Sequence, residues 1–149
     1  MAKGVLLFNG VAYPFPVVDK AFAWSKQGGG SLKALFLHSG KETPEGYVFP
    51  SDLDAAENLS TTDEAEAANL RIIESNIRML KNQASSEHID LAVQKLIDPT
   101  SDQLLSELGD AERVFASINI DEMRILSTVK VNLKELLNDN QQPVEWVNE

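Results

Sequence analysis

Apolar residues occupy consecutive positions at residues 4–8, and this run ends at an Asn-Gly pair, Asn9 and Gly10. The run is too short for a free-standing helix, and a strand that is apolar at consecutive positions is buried on both faces. Such strands belong to parallel sheets that are covered by helices. A second apolar run at residues 32–38 follows an amphipathic stretch, so the N-terminal part of the chain predicts a βαβ unit.

Helical and strand patterns alternate along the rest of the chain. Between the first two strands, Pro14 and Pro16 indicate a loop that leads into a helix, and a glycine triplet ends that helix. Further elements are expected from apolar periodicity and from breakers such as Asp98-Pro99 and Gly109. The predicted helices are residues 16–27, 62–85, about 100–108 and a segment within 122–138, and the remaining strands are residues 89–96, 114–118 and 144–147.

The segment at residues 40–60 is predicted to be a long loop. It contains Pro44 and Pro50, and an apolar helical pattern becomes clear only after it. Thr61 and Glu64 have the spacing of a capping box, which predicts that the next helix begins there. Long loops in compact domains often cover or build sites, and a surface excursion is the other interpretation.

The order of the elements is β-α-β-α-β-α-β-α-β. This order predicts an α/β fold with a parallel sheet and right-handed crossovers, arranged as a three-layer sandwich with helices on both faces of the sheet. The length of 149 residues fits one domain, which we expect to span residues 1–149.

Composition removes several classes of function. The chain has 13 Lys and Arg against 23 Asp and Glu, a net charge of −10, which disfavours binding to nucleic acid and to anionic membranes. It has no cysteine, so disulfides and thiol chemistry are excluded. We see no signal peptide and no apolar run of membrane-spanning length, and we expect a cytoplasmic protein.

No residue pattern announces a catalytic or metal site. His38 and His88 lack metal-ligand spacing, and Ser39 and Ser117 lack the G-x-S-x-G pattern of a hydrolytic nucleophile. We interpret both histidines as structural or exposed, although His38 ends a central strand, where sites form in open α/β sheets. Whether the protein is an enzyme is left open, with no catalytic residue and no metal ligand assigned.

Several short segments resemble the universal stress protein family, in order along the chain. Leu-Phe-Asn-Gly resembles the end of the family's first strand, which is usually Val-Asp-Gly, and Leu-Phe-Leu-His resembles its second strand. Later segments resemble its Gly-Asp-Pro turn, its fourth strand and its closing Pro-Val-x-Val-Val. The matching segments are residues 7–10, 35–38, 98–105, 110–117 and 143–147.

The resemblance implies a five-stranded parallel sheet in the order 3-2-1-4-5. In nucleotide-binding members an aspartate follows the first strand, and a glycine-rich run after the fourth strand wraps ribose and phosphates. Here Asn9 replaces the aspartate, and no glycine occurs after Gly109. Asp121 and Glu122 also place negative charge where phosphates would lie. The resemblance therefore implies a non-catalytic stress-response or regulatory protein that does not bind ATP tightly, needs no cofactor and acts through protein partners.

An alternative function uses the same end of the sheet. The crevice at the carboxyl ends of strands 1 and 4 could bind a small ligand or serve an enzyme. Its polar contacts would come from Asn9, Gly10, Ser39, Ser117 and Asn119. A related α/β family with sulfur-relay activity is a third possibility, although its usual chemistry needs the cysteine that this chain lacks.

The terminal strand is a candidate interface. Val144, Trp146 and Val147 are expected on an edge strand, and an unpaired apolar edge favours association with a second copy. We therefore expect a homodimer in which these strands meet. The other interpretation of Trp146 is packing against the last helix.

Overall fold

The structure is a computed structural model. Its strands and helices alternate along the chain, as the patterns of the sequence predict. It describes residues 3–39, 53–109, 111–122, 128–129 and 131–148, with Gly29 and residues 53–67 described by their backbone alone. The strands are β1 (Lys3–Asn9), β2 (Ser31–His38), β3 (Leu91–Ile97), β4 (Arg113–Ser117) and β5 (Val144–Val147). The helices are α1 (Phe15–Trp24), α2 (Leu53–Ser86), α3 (Ser101–Leu108) and α4 (Leu133–Asp139), and α1 is followed by the turn Ser25–Gly29, in which Gly28 has φ 90°.

The strands form one sheet in the order β3-β2-β1-β4-β5, and every pairing is parallel. The most apolar strand is the central one: Val5 of β1 lies between Lys33 of β2 and Val114 of β4. This confirms the fold class and the strand order that the sequence predicts.

Alternate side chains of β1 face opposite layers of helices. Leu6 and Phe8 pack with α1 and α2, whereas Val5 and Leu7 pack with α3 and α4. Because the central strand is buried on both faces, the fold has three layers. The expectation of one domain over residues 1–149 stays a prediction.

Helix α2 begins earlier than predicted. Residues 53–60, which we expected in a loop, are helical, so Thr61 and Glu64 lie inside the helix and the predicted capping box is wrong. The chain has no proline or glycine between residues 51 and 86, and the segment is rich in alanine, leucine and glutamate, which favour helix without a strong apolar stripe. The rest of the predicted loop, residues 40–52, lies outside the described residues.

Helix α4 begins later than predicted. The pattern within residues 122–138 suggested a longer helix, but residues 128 and 129 are not helical and Asn132 is the N-cap of a helix that starts at Leu133. The Asn132 side chain accepts a hydrogen bond from the Glu135 amide at 3.0 Å. The valine-rich segment before Asn132 has weak helix propensity, so the helix begins at this local cap.

Two helices end in the same left-handed turn. Ile89 N donates to Ala84 O at 2.8 Å after α2, and Gln142 N donates to Leu137 O at 3.0 Å after α4. These are the bonds of the Schellman motif, whose next-to-last residue has positive φ. That position is occupied by a histidine and a glutamine rather than by glycine: His88 has φ 58° and Gln141 has φ 53°. His88 therefore has a structural place, as the sequence interpretation allowed.

Candidate functional site

The carboxyl ends of β1 and β4 bring several predicted site residues together. In open α/β sheets this edge is where ligands bind. A cavity there has a volume of about 10 Å³, roughly the space that one water molecule needs. It is lined by Leu7, Asn9, Ala12, Pro14, Ser117, Asn119 and Ile120.

Asn9 uses both ends of its side-chain amide within the protein. The side chain is buried, and the residue is 3% exposed. Its Nδ2 donates to Ile120 O at 2.8 Å, and its Oδ1 accepts a hydrogen bond from Val129 N at 2.9 Å. We call these two bonds the Asn9 clamp. An ionised aspartate could accept from Val129 but could not donate to Ile120, so the clamp requires the amide.

Gly10 fixes the chain immediately after the clamp. Its φ of 67° lies in the left-handed region, where a side chain is disfavoured. Its amide donates to Leu37 O at 2.7 Å, which continues the pairing of β1 with β2. The following loop is held from outside the sheet, because Asn76 Nδ2 of α2 donates to Val11 O at 3.0 Å. Gly10 thus has a backbone role beside the cavity and does not line it.

Ser117 shapes the turn that follows β4. Its Oγ accepts a hydrogen bond from Asn119 N at 3.0 Å, and its carbonyl accepts one from Ile120 N at 3.1 Å. The Ser117 side chain is buried, whereas Asn119 is exposed. This turn presents the Ile120 carbonyl to the Asn9 clamp and leads directly to Asp121.

The carboxylate of Asp121 occupies the N-terminus of α4. Its Oδ1 accepts from Leu133 N at 2.8 Å and its Oδ2 accepts from Lys134 N at 2.9 Å. We call this contact the Asp121 cap. Together with the Asn132 cap it binds the amides of Leu133, Lys134 and Glu135, which are the groups that a phosphate would otherwise use. The helix end is therefore neutralised by a charge from the chain itself.

The other face of the same edge contains buried polar atoms without partners. Within the described part of the chain, Tyr13 Oη and His38 Nε2 are buried and make no hydrogen bond. The Tyr13 ring stacks on Phe8 at 5.6 Å between ring centroids, and Phe8 stacks on Phe36 at 4.3 Å. Burial, and next the Asp19 carboxylate, raise the pKa of the Tyr13 phenol to about 12, so it is neutral at physiological pH.

His38 and Ser39 lie at the end of β2. His38 is 2% exposed, and side-chain alternation places it on the same face as Phe36. Its Nδ1 lies 3.2 Å from Ser39 O. Ser39 is half-buried and does not line the cavity beside Asn9. Of the predicted site residues, the structure therefore brings together Asn9, Ser117 and Asn119.

Sequence reasoning missed three features of this edge. Ala12 and Pro14 line the cavity, and no local pattern marks them. Asp121 stood out as a negative charge, but its contact with α4 crosses twelve positions of the chain and could not be found from spacing. Tyr13 precedes Pro14 in the predicted loop, and nothing in the sequence indicates that its hydroxyl is buried.

The candidate interface lies on the edge strand β5. Val147 is 4% exposed and packs in the core, whereas Val144 and Trp146 are half-buried. Lys134 Nζ lies 5.7 Å from the centroid of the Trp146 ring, a cation–π distance. Packing against the α3 and α4 layer therefore accounts for part of the Trp146 side chain and leaves part of it accessible.

Neither a metal-binding cluster nor a membrane-spanning helix occurs among the described residues. No cluster of three or more His, Asp or Glu side chains that could hold a metal ion occurs there. None of the helices in the same part of the chain is both long enough and apolar enough to cross a membrane.

Three solved structures have a similar fold. A protein of the universal stress protein family from Burkholderia pseudomallei is 13% identical, with a TM-score of 0.54, and the match covers 98% of this chain and 95% of that chain. A universal stress protein in complex with cAMP is 16% identical, with a TM-score of 0.57 and coverage of 98% and 96%. A universal stress protein from Archaeoglobus fulgidus is 12% identical, with a TM-score of 0.51 and coverage of 99% and 98%.

No family model matches the sequence, and no curated protein matches it either. The likeness therefore rests on the backbone, and it extends over nearly the whole length of the chain and of each solved structure. It confirms the resemblance at the level of the fold: this chain has the α/β fold of the universal stress proteins.

Proposed function

We propose that this protein is a non-catalytic stress-response or regulatory protein of the universal stress type that does not bind ATP tightly. The observation that carries the proposal is the Asn9 clamp. The side chain at the position of the family's aspartate bonds with both of its polar atoms to the chain's own backbone. A nucleotide at Asn9 would compete with two buried hydrogen bonds, each of which stabilises the fold by about 1 kcal/mol.

The Asp121 cap supports the same conclusion. A phosphate at the start of α4 would have to displace a carboxylate that already accepts two hydrogen bonds there. If the phosphate instead lay beside it, two negative charges at about 6 Å would repel each other by roughly 3 kcal/mol at an effective dielectric constant near 20. The chain also lacks the glycines that let backbone amides approach a phosphate closely.

Calorimetric titration with nucleotides tests this proposal. One structure of the same fold is a complex with cAMP, so cAMP belongs in the experiment beside ATP with magnesium. We expect no saturable heat with either compound at micromolar protein concentrations. Micromolar binding of ATP or cAMP would overturn the proposal and favour a nucleotide sensor.

The alternative is a small-ligand carrier or an enzyme that uses the same crevice, with Asn9, Gly10, Ser39, Ser117 and Asn119 as polar contacts. The cavity beside Asn9 is too small for a ligand larger than water unless the clamp opens. Native mass spectrometry of the purified protein distinguishes the two functions. A stoichiometric small molecule that survives purification would favour the alternative, and the mass of the bare chain favours our proposal.

We further propose that the protein acts through protein partners as a homodimer in which β5 meets its two-fold mate. Within the described residues, β5 pairs only with β4, so its outer edge presents unpaired backbone groups beside the half-buried Val144 and Trp146. Such edges favour strand pairing between copies. Glu145 Oε1 lies 3.6 Å from Lys20 Nζ, and Glu145 Oε2 lies 3.5 Å from Arg113 Nη1. These ion pairs balance the charge of Glu145 within the chain.

Sedimentation velocity tests the dimer, and the chain offers a matched control. Ile97 lies on β3, the opposite edge strand, and is 61% exposed. We expect the native protein to sediment as a dimer at micromolar concentration, Trp146→Ala to weaken association, and Ile97→Ala to leave it unchanged. A monomer would contradict the dimer, and a loss of association in Ile97→Ala alone would move the interface to β3.

A further inference from the structure

The pair Asn9-Gly10 has a sequence that favours a spontaneous chemical modification, and it has a defined place in the fold. An asparagine followed by glycine is the sequence most prone to deamidation, because glycine has no side chain to hinder attack by its own amide nitrogen. This is the only Asn-Gly pair in the chain. It lies at the end of the central strand, in the middle of the Asn9 clamp.

The reaction needs freedom that the native structure denies to both residues. The Gly10 nitrogen must attack Asn9 Cγ, which forms a five-membered succinimide. The bond from Cγ to Nδ2 breaks, and ammonia leaves with the proton of the Gly10 amide. Water then opens the ring to aspartate or to isoaspartate, so the net change is the gain of water and the loss of ammonia.

Three hydrogen bonds oppose this attack in the folded protein. The Gly10 amide donates to Leu37 O at 2.7 Å, so its nitrogen is engaged in the sheet. The Asn9 side chain is held at both ends by Ile120 and Val129, so its Cγ cannot turn toward Gly10. The residue is also 3% exposed, so bulk solvent has little access to its side chain.

We propose that Asn9 is a modification site that the fold protects and that deamidates when the chain unfolds, and that the change prevents the native clamp from forming again. An ionised aspartate at position 9 has no donor for Ile120 O and would place a buried charge against that carbonyl. Isoaspartate would in addition insert a backbone carbon between β1 and Gly10 and displace the bond to Leu37 O. The site would therefore retain a permanent chemical record that the molecule had been unfolded.

Peptide mass spectrometry tests the proposal with an internal control. Trypsin should release residues 4–20, in which Asn9 is the only asparagine, and residues 82–95, in which Asn82-Gln83 is the only comparable site. The native chain and the chain unfolded in guanidinium are incubated in mildly alkaline buffer and digested. In the unfolded chain we expect residues 4–20 to deamidate at least ~10-fold faster than residues 82–95, because only Asn9 precedes a glycine.

In the native chain, deamidation of Asn9 should be suppressed at least ~100-fold, since it is limited by the fraction of molecules that open. Equal rates in native and unfolded chains would overturn the proposal, and so would an unfolded rate at Asn9 no faster than that at Asn82. Ile73→Ala, which leaves a cavity in the opposite layer of the core, should raise the native rate at Asn9 by raising the open fraction.

The second half of the proposal has its own variant. Asn9→Asp reproduces the aspartate product without incubation, and we expect it to refold with a lower denaturation midpoint and with faster hydrogen exchange at the Ile120 amide, whose turn loses its bond from position 9. Unchanged midpoint and unchanged exchange at Ile120 would show that the clamp tolerates aspartate and would refute this second half of the proposal. Neither measurement depends on nucleotide binding, so its failure is distinct from a failure of the proposed function.

Discussion

The two faces of the sheet treat their polar groups differently at the carboxyl edge. On the face covered by α3 and α4, Asn9 and Asp121 bond to backbone groups of the chain itself. On the face covered by α1 and α2, Tyr13 Oη and His38 Nε2 are buried without a hydrogen bond among the described residues. Among the described residues, the polar groups at the first face are hydrogen-bonded within the chain, and two buried polar atoms at the second face are not.

The difference shows two uses of polar groups at the carboxyl edge of the sheet. Polar side chains at strand ends usually mark a site because their hydrogen-bonding groups are left for a ligand. Beside Asn9 those groups are used to tie down Ile120, Val129 and α4, so polar residues there contribute to stability. Replacing a polar group should therefore lower the free energy of unfolding on the face covered by α3 and α4 and raise it on the face covered by α1 and α2.

Asn9→Asp should give the largest effect. Loss of the donor to Ile120 O and burial of a charge should lower the free energy of unfolding at neutral pH by about 3 kcal/mol. Burial raises the pKa of the substituted carboxyl above its unfolded value, and its protonated form can donate to Ile120 O. The deficit should therefore be smallest below pH about 4 and grow as the pH rises through the folded pKa.

Urea denaturation at several pH values measures this effect. Asn148→Asp, which adds the same charge at an exposed position beyond β5, is the matched control and should change stability by no more than about 0.5 kcal/mol. An Asn9→Asp protein as stable as the control at neutral pH would show that the clamp contributes little.

Asp121→Ala should have the next largest effect. It removes both acceptors from the first turn of α4 and should lower stability by about 1–2 kcal/mol. Asp121→Asn keeps one acceptor and should lose less. Thermal unfolding of the two variants and the native protein ranks their stabilities. An Asn variant less stable than the Ala variant would contradict a capping role.

Tyr13→Phe should act in the opposite direction. Removal of a buried hydroxyl that has no hydrogen-bond partner among the described residues should raise stability by about 1 kcal/mol, while the ring keeps its contact with Phe8. The raised pKa of Tyr13 also predicts that the native protein loses stability as the pH rises from about 10, the pKa of an unfolded tyrosine, through about 12. Denaturation across this range should show a smaller loss in Tyr13→Phe, and a destabilised variant at neutral pH would reveal a partner for the hydroxyl.

Glycine at the left-handed helix ends should give the smallest effect. Gln141→Gly and His88→Gly relieve positive φ but add chain entropy to the unfolded state, so each should stabilise by about 0.5 kcal/mol. Gln142→Gly, one position later and outside the left-handed region, is the control and should not stabilise. If Gln142→Gly stabilised the protein as much as Gln141→Gly, the stabilisation would not come from relief of positive φ.

The sequence predicted the fold because apolar burial decides it. The continuous apolar run at residues 5–8 can lie only in the centre of a covered sheet, and the strand order follows from the family resemblance. Helix starts were harder to predict. The start of α2 has neither a capping motif nor a clear apolar stripe, and α4 begins only at the local cap formed by Asn132.

The candidate site was predicted only in part. Residue types at strand ends identified Asn9, Ser117 and Asn119, which line one cavity. The role of Asn9 depends on backbone groups more than a hundred positions away, in its bonds to Ile120 and Val129. No local pattern can reveal whether such a side chain is left free for a ligand or used by the fold.

Hydrogen exchange at individual amides, followed by NMR, tests the closed edge most directly. The amides of Val129, Leu133 and Lys134 are the donors that Asn9 and Asp121 engage. We predict that all three exchange slowly in the free protein and that excess ATP with magnesium, or cAMP, changes neither their exchange nor their chemical shifts. Rapid exchange in the free protein that becomes slow when nucleotide is added would show that this edge is an open nucleotide site and would contradict the account.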